Sequence, residues 1–193
     1  MTETTPVPGF ERERRWWIAS LAFVILIYAT LYFVRGPVEY LRENNLLRLA
    51  VGAAFATALV WAIVILVRRG VGWMEGLVLL VSSAVFFSAV QMAGLPEEKL
   101  HFLEYGLLGA MLLTATRERA LRLGKRGSSA LWSSALVAAV LASLAGWGDE
   151  GIQAVLPNRY YDVRDILWNS LGSGMVIAAL VAASMARDFD RRR

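Results

Sequence analysis

The stretch GWGDEGIQAVLPNRYYDVRDILWN, residues 146–169, is dense in charged and amide side chains and separates two apolar runs. The run before it covers residues 128–147 and the run after it covers residues 166–186. Each run is close to the roughly 20 residues with which a helix crosses a bilayer. The stretch therefore predicts two membrane-spanning helices that are joined by an unusually polar segment.

The composition also indicates a membrane protein that crosses the bilayer several times. Hydrophobic residues make up 57% of the 193 residues, and the mean hydropathy is +0.50, a combination that is rare in soluble domains. The net charge is +4, but the basic residues lie beside the apolar runs, which indicates membrane topology rather than a nucleic-acid-binding face. The chain has no Cys and one His, which excludes disulfides, Cys-based metal sites and a multi-His centre within one subunit.

Apolar runs predict an all-α fold with six membrane-spanning helices. Most of the 20 Lys and Arg residues lie on the cytoplasmic side if the N-terminus is cytoplasmic. The positive-inside rule therefore predicts that both termini are in the cytoplasm. The first run is too long for a cleaved signal peptide and is interpreted as an uncleaved signal anchor. The six runs are residues 16–34, 49–67, 76–95, 97–116, 128–147 and 166–186.

The runs divide the chain into four parts. A short interfacial helix is expected at VEYLRENNLLRLA, residues 38–50, between the first two spans. The parts are a disordered cytoplasmic tail at residues 1–15, two N-terminal spans at 16–67, a four-helix membrane domain at 68–186 and a basic cytoplasmic tail at 187–193.

A second polar segment, PEEKLHFLEY at residues 96–105, begins the fourth span on the same predicted outer side. The apolar part of that span is too short to cross the hydrocarbon, so Glu104 and His101 must lie below the outer interface. The same helical count places Asn169 in the hydrocarbon and Asp165 near the outer interface. Because polar groups in lipid are costly, the two segments should face one another. We expect spans three to six to form a small polar pocket that opens outward.

Helical spacing predicts which side chains face this pocket. Residues three and four apart share a helix face, and polar residues follow this spacing on the fourth and sixth spans. Gly172 and Gly174 in the sixth span should let a neighbouring helix approach closely. The residues expected to line the pocket are His101, Glu104, Tyr105, Asp149, Glu150, Gln153, Arg159, Asp165 and Asn169.

The same residues resemble the VanZ-like family over roughly residues 70–186. The family's namesake is associated with low-level resistance to the glycopeptide antibiotic teicoplanin, and most relatives are polytopic bacterial membrane proteins. The resemblance therefore implies a multi-pass protein of the bacterial cytoplasmic membrane with a role in the cell envelope, and it assigns no reaction. It is carried by three patterns, His101-Phe102-x-x-Tyr105, Asp149-Glu150-x-x-Gln153-x-x-x-Pro157-x-Arg159 and Asp165-x-x-x-Asn169-x-x-Gly172.

Three functions are open for the predicted pocket. It could bind an anionic or sugar-bearing envelope molecule, such as a lipid-linked cell-wall intermediate or a glycopeptide, with Arg159 holding the anion. It could hydrolyse or transfer a lipid headgroup, with His101 as base or nucleophile and Glu104 as its acid–base partner. It could instead be a structural lock between spans four to six, in which His101 packs and Arg159 forms a salt bridge.

No cofactor is expected from the sequence. A divalent metal held by His101 and carboxylates is an alternative, because one His with two or three carboxylates can bind Zn, Mn or Mg. The expected partners are membrane lipids and an envelope glycolipid or glycopeptide, with no nucleic acid and no identifiable protein partner. Tyr160, Tyr161 and Trp168 are candidates either for stacking on a sugar or isoprenoid or for anchoring at the membrane interface.

Overall fold

The structure is a computed structural model that describes residues 9–157 and 161–192. Within these residues the chain forms α-helices and no strand, which confirms the predicted fold class. The helices are α1 (Phe10–Phe33), α2 (Arg35–Glu43), α3 (Leu47–Arg69), α4 (Trp73–Val90), α5 (Pro96–Arg122), α6 (Gly127–Val155) and α7 (Val163–Asp190).

Five helices, α1, α3, α4, α6 and α7, are long and apolar enough to cross a membrane. The chain is therefore a multi-pass membrane protein. The remaining predicted span, residues 97–116, lies in α5, whose 27 residues correspond to a length of about 40 Å. α5 does not stand out by hydropathy because it begins with acidic residues, ends with basic ones and carries His101 and Glu104 between them.

The predicted interfacial helix at residues 38–50 begins earlier and ends sooner than expected. α2 ends at Glu43, and Asn45 follows with a φ of 58°, in the left-handed region. Asn adopts this conformation more readily than most residues. The chain therefore turns at Asn45, and the last residues of the predicted segment form the start of α3 at Leu47.

α5 lies at the centre of the bundle, where it packs against α1, α6 and α7. The main core consists of apolar side chains of α5, α6 and α7, and Trp17, Phe23 and Val24 of α1 pack against it. The first N-terminal span thus shares a core with α5, α6 and α7. α4 packs against α7, whereas α3 touches α5 only at the edge of the bundle.

Glycines bring the backbones of α5 and α7 close together. A Cβ added at Gly172 would lie 2.9 Å from the Cα of Phe102, and a Cβ at Gly109 would lie 3.0 Å from the backbone oxygen of Ser173. The prediction for Gly172 is therefore confirmed. The prediction for Gly174 is wrong, since a Cβ there would meet nothing within 4 Å. Residues two apart lie on nearly opposite sides of a helix, so both glycines cannot face the same neighbour.

We predict that Gly172→Ala destabilises the protein by about 1–3 kcal/mol, because the added methyl group overpacks the contact with α5. Gly174→Ala is the matched control on the same helix. It should leave the stability unchanged or raise it by up to about 1 kcal/mol, since Ala is the better helix former. Thermal unfolding in detergent measures both variants, and identical unfolding temperatures would contradict the close contact.

Candidate functional site

Eight of the nine predicted site residues come together at the end of the bundle where α5 and α7 begin and α6 ends. α6 continues well past its apolar run to Val155, so its polar residues remain helical and face α5 and α7. Five of these eight side chains are buried, namely Tyr105, Asp149, Glu150, Gln153 and Asn169. The other three, His101, Glu104 and Asp165, are partly exposed. We call the following set the polar cluster: His101, Glu104, Tyr105, Asp149, Glu150, Gln153, Asp165 and Asn169.

Hydrogen bonds between α5 and α6 form the buried part of the polar cluster. The Tyr105 hydroxyl donates to Oδ2 of Asp149 at 2.9 Å. Nε2 of Gln153 donates to Oδ1 of Asp149 at 3.2 Å and to Oε1 of Glu150 at 2.8 Å. Hydrogen bonds to charged groups contribute more than neutral ones, about 1.5–3 kcal/mol each. One amide thus holds two neighbouring carboxylates within the bundle.

Glu150 also connects α6 to the first residues of α7. Its Oε2 accepts a hydrogen bond from the backbone N–H of Asp162 at 3.0 Å. The Asp162 side chain in turn accepts from the backbone N–H of Arg164 at 2.8 Å and caps α7. The buried carboxylate therefore helps to fix where the last helix begins.

His101 and Asp165 form the partly exposed mouth of the polar cluster. Nε2 of His101 lies 3.5 Å from Oδ2 of Asp165, and their side chains are 16% and 19% exposed. The pair is ionic only when the imidazole is protonated. Glu104 lies one turn along α5 and acts on the imidazole electrostatically, as does Asp149. The structure therefore joins the polar segments of α5 and α7 at one depth.

Asn169 lies deeper, between α5 and α6, and is fully buried. A Cβ added at Gly146 would lie 2.9 Å from the Cβ of Asn169, so the glycine makes room for this side chain. Within the described part of the chain, neither the Oδ1 nor the Nδ2 atom of Asn169 has a hydrogen-bond partner.

The candidates Arg159 and Tyr160 lie outside the described residues. Arg164, which follows them in the chain, lies 3.4 Å from Glu98. The Trp168 ring packs against Phe102 with 5.5 Å between ring centroids, and Tyr161 is exposed.

The outward-opening pocket that the sequence predicts around the polar cluster stays a prediction. A cavity of about 440 Å³ lies at the same end of the bundle, between the end of α1, α2 and the end of α6. Arg35 and Glu39 are in its wall, together with the aromatic ring of Tyr32, and the described polar-cluster residues are not. None of the polar cluster comes from α4, which was expected to take part.

The described residues of the polar cluster do not form a set of metal ligands. Among residues 9–157 and 161–192, no group of three or more His, Asp or Glu side chains is arranged to hold a metal ion. The carboxylates of Asp149 and Glu150 instead accept hydrogen bonds from Tyr105, Gln153 and the backbone N–H of Asp162.

Two contributors to this end of the bundle were not predicted. The Tyr28 hydroxyl of α1 donates to the backbone oxygen of Ala145 at 2.7 Å, beside the polar cluster. Oε2 of Glu98 accepts from the backbone N–H groups of Gly94 at 2.8 Å and Leu95 at 3.2 Å. The sequence signals that could have indicated them are the Tyr28 hydroxyl within a long apolar run and the position of Glu98 in the first turn after Pro96.

A second ionic group lies at the opposite end of the bundle, around the fully buried Glu75 of α4. Its carboxylate accepts from Arg69 at 2.8 Å and, through both oxygens, from the Arg187 guanidinium. The backbone N–H of Glu75 donates to Asp190 at 3.2 Å. Sequence alone assigns Arg69 and Arg187 only to membrane topology, whereas the structure uses them to join α3, α4 and α7.

Comparison with known proteins finds one matching protein family. A family model described as VanZ/LLP1 matches residues 16–184. The match includes the two N-terminal spans, which the sequence motifs left outside the resemblance. No match was found among curated proteins or among solved structures.

We predict that Glu75→Ala destabilises the protein by about 2–3 kcal/mol, because it leaves two guanidinium groups without their partner. The loss is smaller than for a fully buried pair since the Arg69 and Arg187 side chains are 44% and 29% exposed. Glu11→Ala removes the exposed partner of Arg14 and should cost at most about 1 kcal/mol. Unfolding temperatures in detergent compare the two, and an equal loss would contradict a structural role for Glu75.

Proposed function

The chain belongs to the VanZ/LLP1 family, and we propose that it binds an anionic or sugar-bearing molecule of the bacterial cell envelope at the polar cluster. A lipid-linked cell-wall intermediate and a glycopeptide are the leading ligands. The family resemblance to a teicoplanin-resistance protein supports an envelope ligand and a role in antibiotic resistance.

The carrying observation is the clustering of eight polar side chains, five of them buried, at one end of a bundle whose outer surface is apolar. Ionisable groups within membrane-spanning helices are costly, so they face the protein interior and mark functional sites. Here they come from three different helices, and His101 and Asp165 keep the cluster partly accessible. A ligand at the membrane surface can therefore reach the mouth without crossing the apolar core.

In this proposal both termini are cytoplasmic, and the polar cluster lies near the outer face of the cytoplasmic membrane. Arg35, Arg42 and Arg48 are then on the outside, while the denser basic groups around Arg69 and Lys125 are on the inside, as the positive-inside rule requires. An outer site gives access to membrane lipids and envelope glycolipids.

A second candidate function is hydrolysis or transfer of a lipid headgroup. It is favoured by the pairing of His101 with Asp165, which leaves Nδ1 of the imidazole without a partner in the described part of the chain. A carboxylate that orients one nitrogen of a His lets the other serve as a general base.

Native mass spectrometry of the protein in mild detergent tests the proposal. Wild type should retain an envelope lipid or glycolipid, and Asp165→Asn and Arg159→Ala should each retain clearly less of it. Lys125→Ala is the control, since this exposed side chain lies at the opposite end of the bundle. If the protein is instead an enzyme, His101→Ala should bind its substrate without converting it. The variant should then retain a molecule whose mass differs from that of any molecule held by wild type. Equal retention by all variants would contradict both functions.

The orientation has its own test, because the chain contains no Cys. Single-Cys variants at the exposed positions Tyr161 and Lys125 can be treated in intact cells with a maleimide that does not cross membranes. We predict that Tyr161→Cys reacts at once and that Lys125→Cys reacts only after the membrane is permeabilised. The reverse pattern would place the polar cluster on the cytoplasmic side.

A further inference from the structure

Four neighbouring side chains of α5 and α7 have buried polar atoms that find no hydrogen-bond partner within residues 9–157 and 161–192. The atoms are Nδ1 of His101, Oδ1 of Asp165, Nε1 of Trp168, and both Oδ1 and Nδ2 of Asn169. We call these five atoms the unpaired set. More than nine in ten buried polar groups in native proteins are hydrogen-bonded, so a concentration of exceptions needs an explanation.

Four of the five unpaired atoms follow one face of α7. Asp165, Trp168 and Asn169 are at positions i, i+3 and i+4 of α7, which share a face over about 6 Å of helix. His101 of α5 adjoins this face at Asp165, 3.5 Å away. The set therefore runs from the partly exposed mouth to the fully buried Asn169.

The unpaired atoms include both donors and acceptors. Nε1 of Trp168 and Nδ2 of Asn169 can only donate a hydrogen bond. Oδ1 of Asn169 can only accept one, and so can Oδ1 of Asp165 when its carboxyl group is ionised. An anion would satisfy only the donors, and a cation would satisfy only the acceptors. A hydroxyl group does both, so neighbouring hydroxyls on one carbon skeleton match the set best.

The charge of the polar cluster points the same way. It holds four carboxyl groups and one imidazole, and two cations that the structure describes nearby are engaged elsewhere. Arg164 lies 3.4 Å from Glu98, and Nζ of Lys99 donates to Gln91 at 3.1 Å. A phosphate beside the unpaired set would therefore meet mostly negative charge, which is unfavourable at low dielectric.

We propose that the unpaired set binds the hydroxyl groups of a neutral polyol unit, and that any anionic group of the ligand stays outside the polar cluster. This inference rests on the proposed binding function and states which part of the ligand enters. Two envelope components offer such a unit, the sugar of a glycolipid and the glycerol headgroup of phosphatidylglycerol.

Thermal unfolding of the full chain in mild detergent, with added lipid, tests the proposal. The three probes are monoglucosyldiacylglycerol, phosphatidylglycerol and phosphatidic acid, all with the same acyl chains. Phosphatidic acid carries the phosphate without a polyol. We expect the unfolding temperature to rise with the glucosyl lipid, with phosphatidylglycerol or with both, and to change little with phosphatidic acid. The response to the first two probes identifies the sugar or the glycerol as the source.

Asn169→Leu is the main variant, since Leu has the same branched shape and removes two unpaired atoms. Without lipid, its unfolding temperature should equal or exceed that of wild type, because no buried amide is left unsatisfied. With the effective polyol lipid, about tenfold more lipid should be needed for the same rise. Ser173→Ala is the control one turn along α7, where the hydroxyl already bonds to the backbone oxygens of Asn169 and Ser170.

Trp168→Phe provides a second variant, which removes one donor and keeps an aromatic ring against Phe102. It should weaken the response to the polyol lipid even if Asn169→Leu fails to fold. If phosphatidic acid stabilises wild type as well as the polyol lipids do, and both variants respond normally, the site binds the anion. The proposed function then stands, and this inference fails. If no lipid is retained or shifts unfolding, both fail. A lower lipid-free unfolding temperature for Asn169→Leu alone would show that its amide is already paired, which also overturns the inference.

Discussion

The fold depends on covering α5, a polar helix that must cross lipid. Its apolar middle is short, and ionisable residues flank it on both sides. Such a helix is stable in a membrane only if its polar face meets protein. α1, α6 and α7 surround it, so the surface that lipid contacts belongs to the apolar helices. The order of the bundle follows from this requirement.

Close packing of α5 with α7 also sets the geometry of the polar cluster. Gly172 allows the backbone of Phe102 to come close to α7, and Phe102 directly follows His101. Gly172 itself lies one turn beyond Asn169. On α6, Gly146 makes room for Asn169 three residues before Asp149. The small residues therefore act where no hydrophobic force between helices is available. They bring the polar side chains within reach of one another.

Much of this structure is encoded in local patterns, and the rest depends on which helices become neighbours. Apolar runs predicted the spans, and spacing by three and four predicted that His101 and Asp165 face one another. Spacing defines a face relative to the helix's own axis, so it could not tell that Gly172 meets α5 while Gly174 meets nothing. The role of Glu75 was not predicted for the same reason, because its partners Arg69 and Arg187 come from two other helices, α3 and α7.

Two fully buried polar side chains show how differently the two ends of the bundle are built. Both carboxylate oxygens of Glu75 accept hydrogen bonds from arginines, as expected of a group that only joins helices. Asn169 is equally inaccessible, yet neither of its amide atoms has a partner in the described part of the chain. Leaving such groups unpaired costs free energy that a purely structural contact would avoid with an apolar side chain. The contrast supports the proposal that the polar cluster binds a ligand.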